Sequence, residues 1–268
     1  MPRRTRLDAE LVRRGLARSR EHASQLIADG RVTVRGSVAT KAATGVETDA
    51  AVVVRDLDND INWASRGAHK LIGALDAFEL RVQGRRCLDA GASTGGFTDV
   101  LLARGAEHVV AADVGRGLLV WRLQTDERVT VLDKTNVRAL TPEQTGGPVD
   151  LVVADLSFIS LRLVLPALLA CANPDADLVP MVKPQFEVGK ERLGSGGVVR
   201  DPQLRAEAVR DVLSAAAELG LRAHGVVASP LPGPSGNVEY FAWLRRGEPL
   251  APDDAATLVE TAVQEGPQ

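Results

Sequence analysis

The chain has 268 residues, 45% hydrophobic and 25% charged, with a net charge of −3, a composition that excludes wholesale disorder and fits one or two folded domains. Its longest uncharged apolar run, residues 163–172, is interrupted by Pro166 and falls well short of the roughly 20 residues a membrane-spanning helix needs. The net charge hides an asymmetry: residues 1–41 carry ten Arg or Lys against four Asp or Glu, a net of +6, and the rest carry 22 against 31, a net of −9. A basic end on an acidic body points to a module that meets a polyanion. Arg3, Arg4 and Arg6 are followed by Asp8 and Glu10 rather than by an apolar core, so no signal peptide is expected. Cys87 and Cys171, each in an apolar stretch, form neither a disulfide framework nor a zinc cluster and fit a reducing cytoplasm. Aromatic residues at 3% argue against a base-stacking platform as the main binding device.

Residues 7–36 read as helix, turn, helix, strand. Leu7 and Leu11 share a helical face that Gly15 can close in a left-handed conformation. Ser19 suits an N-cap for a second helix bearing Ala23, Leu26 and Ile27, and Gly30 ends it. The run 31–36 alternates charged and β-branched residues, as a half-exposed strand does. The polar stretch 56–60 predicts a linker. An amphipathic helix with Leu71, Leu75 and Phe78 follows. Strands are then expected at 87–89, 109–113, 129–132, 151–155, 178–182, 225–228 and 240–244, with helices around 97–104, 117–124, 161–171 and 202–219. Such alternation predicts an α/β fold, a mostly parallel sheet covered on both faces.

The first of these strands runs into a glycine-rich turn, Asp89-Ala90-Gly91-Ala92-Ser93-Thr94-Gly95-Gly96-Phe97. A turn of this kind lets a ligand approach the backbone at the carboxyl edge of the sheet. Asp89 at the strand end is poorly suited to a pyrophosphate and suits a cationic amino-acid ligand. Asp113, 24 positions on, can accept bonds from both ribose hydroxyls of an adenosine. Together they describe S-adenosylmethionine better than a nicotinamide dinucleotide. Asn136 after the third strand is placed to reach an adenine, though Asn is also an ordinary turn residue. Phe158 offers a ring to a base or to the methyl donor, with core packing as its other reading.

Asp155 and Lys183 close neighbouring strands and project into one crevice, with Lys70 on the helix before the sheet and Glu239 at the start of the final strand. Charges at such strand ends are costly unless paired or used. The order Lys70, Asp155, Lys183, Glu239 resembles the Lys-Asp-Lys-Glu tetrad of FtsJ-like ribose 2′-O-methyltransferases. Longer strings, Ser-Arg-Gly-Ala-His-Lys-Leu (65–71), Asp-Ala-Gly-Ala-Ser-Thr-Gly-Gly-Phe-Thr (89–98), Ala-Asp-Leu-Ser-Phe-Ile-Ser (154–160), Val-Lys-Pro-Gln-Phe-Glu (182–187) and Ser-Pro-Leu-Pro-Gly-Pro-Ser-Gly-Asn-Val-Glu-Tyr (229–240), resemble the TlyA family. Its members bear a historical hemolysin name and are rRNA 2′-O-methyltransferases. The N-terminal part is similar to an S4 domain, a small RNA-binding module.

The resemblance implies a Rossmann-like, class I methyltransferase domain with a seven-stranded, mostly parallel sheet, preceded by a small α+β S4-like domain. The expected division is 1–60 for the S4-like domain, 61–64 for a linker and 65–268 for the methyltransferase domain. It implies that Lys70, Asp155, Lys183 and Glu239 are catalytic, that S-adenosylmethionine is the donor, and that no metal is needed. Donor contacts are expected from Asp89, Gly91, Ala92, Ser93, Thr94, Gly95, Gly96, Phe97, Asp113, Asn136, Asp155 and Phe158. The implied substrate is a cytidine ribose in both small- and large-subunit rRNA, with an effect on susceptibility to capreomycin and viomycin. One departure lies in the linker: the mycobacterial form has a basic residue before the Trp, where this chain has Asn62-Trp63.

RNA phosphate contacts are expected from Arg6, Arg14, Arg18, Arg20, Arg31, Lys41 and Arg66, contacts that position rather than specify. Arg13 lies on the same polar side. The rivals are a membrane-active hemolysin, an rRNA-binding scaffold with a dead methyltransferase fold, and a nicotinamide-linked enzyme. The run Asp155-Leu156-Ser157-Phe158 lacks the paired prolines expected for exocyclic amine methylation, and neither cysteine is placed as the nucleophile that cytosine C5 methylation needs.

Overall fold

The computed structural model describes residues 4–17, 19–47, 50–54, 63–233 and 235–267. Arg18, Asn62 and the polar stretch 56–60 lie outside the described residues. The chain divides into two compact units, Met1–Asn62 and Trp63–Gln268.

The first unit comprises β1 (Arg4–Arg6), α1 (Leu7–Arg13), α2 (Arg20–Ala28), β2 (Val32–Val34), β3 (Ser37–Val38), β4 (Gly45–Glu47) and β5 (Val52–Val54). β1 pairs antiparallel with β4, and β3, β2 and β5 form a small antiparallel sheet. Ser19 caps α2: its Oγ accepts from the His22 N–H at 3.1 Å. Gly15 and Gly30 close the two helices at positive φ, 71° and 67°. Leu7, Leu11, Ala23, Leu26, Ile27 and Val32 form the core, each fully buried leucine contributing about 2 kcal/mol.

The second unit comprises α3 (Gly67–Ala77), β6 (Arg86–Ala90), α4 (Gly96–Ala103), β7 (His108–Ala112), α5 (Trp121–Gln124), β8 (Val129–Leu132), β9 (Val149–Ala154), α6 (Leu165–Ala170), β10 (Ala172–Val182), α7 (Pro184–Glu187), α8 (Pro202–Glu218), β11 (Leu221–Ala228), β12 (Tyr240–Arg246) and α9 (Pro252–Glu265). One seven-stranded sheet has the order β11-β12-β10-β9-β6-β7-β8. β10, β9, β6, β7 and β8 run parallel, and β12 is antiparallel to both its neighbours. Alternation along each strand feeds two cores. Leu88, Val152 and Tyr240 face one, with α6, α8 and α9. Cys87, Leu151, Val153 and Phe241 face the other, with α3 and α4. Trp63 and Ala64, expected in the linker, belong to this second core.

Several elements differ from the sequence expectation: β10 and β11 begin earlier, at Ala172 and Leu221, and α7 is additional. The helix expected over 117–124 shrinks to α5, because the chain turns at Gly117 with φ 61°. The stretch 161–171 splits into a 3₁₀ turn, Leu161–Leu163, and α6, whose early Pro166 needs no N–H partner. α9 was not anticipated; it begins on Pro252 and buries Val259, Ala262 and Val263.

Candidate active site

The register of the sheet assembles the four tetrad positions. Val182 pairs with Tyr240 across the β10–β12 ladder, so Lys183 and Glu239, one step beyond each, are neighbours. Pro180 pairs with Ala154, which sets Asp155 at the next strand end. The tetrad resolves into two ion pairs. Lys70 Nζ lies 2.5 Å from Glu239 Oε2, both side chains buried. Lys183 Nζ lies 2.6 Å from Asp155 Oδ1 and donates to Ser157 Oγ at 3.1 Å. Two ammonium groups are thus held at one sheet edge, each by its own carboxylate.

The glycine-rich turn abuts this cluster. The Asp155 N–H donates to the Ala90 carbonyl at 3.0 Å. A side chain on Gly91, at φ 89°, would begin 2.5 Å from the Asp155 carbonyl oxygen. Gly95, at φ 103°, faces Leu119 and Leu123 at 2.8 and 2.4 Å from where a Cβ would stand. On Gly96 a Cβ would strike Ser65 Oγ. All three positions therefore exclude side chains in order to pack against the chain itself. Close packing against the chain thus stands beside ligand access as a reason for glycine at these positions.

Asp89 is fully buried; Oδ2 accepts from Thr98 Oγ1 at 2.7 Å and Oδ1 has no partner. Burial, reinforced by the nearby Asp155 and Asp113 charges and opposed by the Thr98 hydrogen bond, pushes its carboxyl up to about 7. Three acids crowded at one turn favour an incoming cation, the charge that S-adenosylmethionine carries. Asp113 holds the turn: Oδ2 accepts from the Ser93 N–H at 2.8 Å and Oδ1 from the Gly115 N–H at 2.7 Å. A carboxylate has about four acceptor sites, so this fixed group retains capacity for sugar hydroxyls. The residues thus fit the donor.

Other expected donor contacts fare differently. Phe97 is buried and packs on Phe241 with ring centroids 6.0 Å apart; its side chain is core, and only its backbone belongs to the turn. Thr94 Oγ1 donates to the Ala64 carbonyl at 3.4 Å, which ties the start of this unit to the turn. Asn136 accepts from the Arg138 N–H at 3.1 Å, capping a 3₁₀ turn. Phe158 is 90% exposed at φ 63°, its ring 5.2 Å from that of Phe186. Ala92 is buried within the turn. Cys87 lies buried in β6 with its thiol pushed up to about 12, consistent with a packing role.

In the first unit the arginines are organised by two buried acids. Asp8 accepts from Arg6 at 2.9 and 3.1 Å and from Arg20 at 2.9 Å. Glu10 accepts from Arg13 at 2.6 and 2.8 Å and from Arg14 at 2.7 Å. The Arg13 hydrogen bond, followed by that of Arg14, outweighs burial and pulls the Glu10 carboxyl down to about 2. Arg14 also donates to the Ala50 carbonyl at 2.7 Å. Lys41 is exposed and Arg31 half-buried; Arg66, exposed, belongs to the second unit.

Ser157, Ser160, Glu187 and Asn237 carry no role in the sequence reading but make specific contacts in the structure. Ser160 Oγ and the Leu161 N–H donate to the buried Glu187 carboxylate at 2.5 and 2.7 Å. Asn237 joins two loops, accepting from the Val199 N–H at 2.9 Å and donating to the Gly197 carbonyl at 3.0 Å. Their only signal was inclusion in the family-like strings. Among the described residues, no group of three or more His, Cys, Asp or Glu is placed to hold a metal ion.

Residues 63–246 match the FtsJ-like methyltransferase family and residues 5–52 match the S4 domain. The chain is 63% identical, over the full length of both, to the 16S/23S rRNA (cytidine-2′-O)-methyltransferase TlyA of Mycobacterium tuberculosis. It is 36% identical to Hemolysin A of Brachyspira hyodysenteriae, over 88% of this chain and 98% of that protein. A solved structure from Streptococcus thermophilus that carries the hemolysin name superposes with a TM-score of 0.76 at 34% identity, covering 99% of this chain and 98% of that one. The fold is that of a methyltransferase with an N-terminal S4 domain, and the donor is S-adenosylmethionine. The chain belongs to the TlyA family of FtsJ-like methyltransferases.

Proposed function

We propose that this protein methylates the ribose 2′-oxygen of cytidine in rRNA, acting on both the small-subunit (16S) and large-subunit (23S) species, and so affects susceptibility to capreomycin and viomycin. The single observation that carries the reading is the contiguity of the donor turn with the tetrad: Gly91 packs on the backbone of Asp155, whose carboxylate holds Lys183. The Mycobacterium tuberculosis relative named for that activity supports the substrate. In this reading residues 1–60 bind RNA and 65–268 catalyse, with Trp63 and Ala64 packed into the catalytic unit, in the cytoplasm, where ribosomal subunits are found.

S-adenosylmethionine supplies an electrophilic methyl on a sulfonium. The chain's part is to hold a sugar oxygen in line with it, since orientation supplies much of the rate in a displacement. The Lys183 ammonium stabilises the charge developing on the 2′-oxygen as that oxygen's proton passes to solvent. Asp155 and Ser157 fix the Lys183 ammonium. Glu239 fixes Lys70, which orients the ribose or its phosphate. Exposed Phe158, beside Phe186, offers a face to the target base. The arginines on Asp8 and Glu10 contact phosphate. The intact pairs weigh against a dead scaffold. No helix among the described residues is long and apolar enough to cross a membrane.

The test is incubation of purified protein with labelled donor and unmodified ribosomal subunits, followed by mapping of the label. Label on a cytidine 2′-oxygen in both rRNAs is the expected result. Label on a base, or none, overturns the proposal.

A further inference from the structure

One buried carboxylate beside the site takes no part in the mechanism above. Glu187 ends α7, the short helix that directly follows Lys183. Its carboxylate accepts from Ser160 Oγ at 2.5 Å and from the Leu161 N–H at 2.7 Å, and lies 3.6 Å from Arg162 Nε. Ser160 and Leu161 end the loop that starts at Asp155 and contains Ser157, the two residues that hold Lys183 Nζ. The contacts close a ring: Lys183, α7, Glu187, Ser160, the loop, and back through Ser157 and Asp155 to Lys183. A second tie, between the Phe158 and Phe186 rings, crosses the same gap. Phe158 occupies a left-handed backbone conformation at φ 63°, which is unfavourable for a non-glycine residue and persists only where the surroundings over-determine it.

Burial of an acid costs energy unless its oxygens are satisfied. Here desolvation raises the Glu187 carboxyl pKa against the opposing Ser160 and Leu161 hydrogen bonds. An apolar residue of similar size fills this space without that cost. What the carboxylate adds is two directed bonds to a loop 26 and 27 positions away in sequence.

We infer that Glu187 is a positioning residue for methyl transfer, locking the 155–161 loop onto α7 and so fixing Lys183 against Asp155 and Ser157. The inference rests on the reading of Lys183 given above. It acts through the loop and not on substrate, so it alters turnover rather than binding.

The test is steady-state kinetics of the full chain on unmodified ribosomal subunits, with donor affinity and melting temperature measured separately. Glu187→Ala is expected to lower kcat at least about tenfold, since small misplacements at a reacting centre cost up to about 100-fold. Donor Kd and KM for RNA stay within about twofold, the signature of a lost transition-state interaction. Glu187→Gln keeps a carbonyl oxygen for the Leu161 N–H and restores kcat to within about threefold. If Glu187→Ala does not fold, Ser160→Ala, expected to lower kcat about threefold with both binding constants unchanged, decides in its place. Unchanged kcat in the deciding variant overturns the inference, as does equal loss of kcat and donor affinity. Lys183→Ala is run alongside. If it is inactive while Glu187→Ala is normal, only this inference fails; if it is fully active, the reading of Lys183 fails with it.

Discussion

The carbonyl oxygen of Asp155 stands where a side chain on Gly91 would begin, 2.5 Å from the position of its Cβ. Donor turn and catalytic strand end are therefore one packed unit. Gly91→Ala introduces that clash at φ 89° and displaces either the turn or Asp155. A stability cost of about 1–3 kcal/mol is expected. Both donor affinity and kcat should fall, by at least about tenfold each. Calorimetric donor titration beside thermal melting checks this; a melting shift with unchanged affinity and kcat contradicts it.

A second glycine serves the other ion pair. A Cβ on Gly233 would lie 2.5 Å from Glu239 Oε1, on the side opposite the oxygen that holds Lys70. Gly233→Ala should push Glu239 off Lys70 and lower kcat by about tenfold or more. Donor affinity should be spared, because the turn at Gly91 is untouched. A kcat against Kd comparison checks the split.

Asp89 predicts a pH dependence. Its folded carboxyl titrates at about 7, above the ordinary Asp value of about 3.9. The free fold therefore gains protons between pH 4 and 7, and this group favours folding increasingly as pH falls through that window. A cationic donor selects the ionised form. Donor affinity should be level above about pH 7.5 and fall towards tenfold per pH unit below 7. Asp89→Asn should flatten the dependence while weakening affinity at pH 8. Isothermal titration from pH 5.5 to 8.5 reads both.

The N-terminal arginines are partly neutralised in place: Asp8 balances one of Arg6 and Arg20, and Glu10 one of Arg13 and Arg14. RNA affinity should therefore be salt-dependent but less steep than the count of arginines suggests. Arg20→Ala is expected to reduce the log–log salt slope by about 0.7–0.9 without moving donor affinity. Filter binding between low and moderate salt measures it, and a slope equal to that of the unmutated chain contradicts a phosphate contact at Arg20.

The sheet was legible because short unbroken apolar runs mark strands covered on both faces and glycines mark their ends, as with Cys87, Leu88 and Gly91. Convergence of Asp155 and Lys183 followed from their places at neighbouring strand ends. The partners expected of these charges, Asp155 on Lys183 and Glu239 on Lys70, are the ones the register produces, with Val182 opposite Tyr240 bringing Glu239 to the site. Phe97 was read with the donor turn since it adjoins it in sequence, yet its first helical turn rotates the ring into the core. Ser160 and Glu187 were silent because only tertiary folding joins them. α9 is marked in the sequence by Pro252, Asp253 and Asp254 at its start and by spaced Leu258, Val259, Ala262 and Val263.

The central claim is that the Lys183 ammonium, held by Asp155 beside the donor turn, promotes methyl transfer to a ribose oxygen. Single-turnover methylation of unmodified ribosomal subunits by Lys183→Ala, with donor and RNA both saturating, tests it most directly. The account predicts a fall of at least about 100-fold, with donor affinity retained. A rate within a few-fold of the unmutated protein contradicts it.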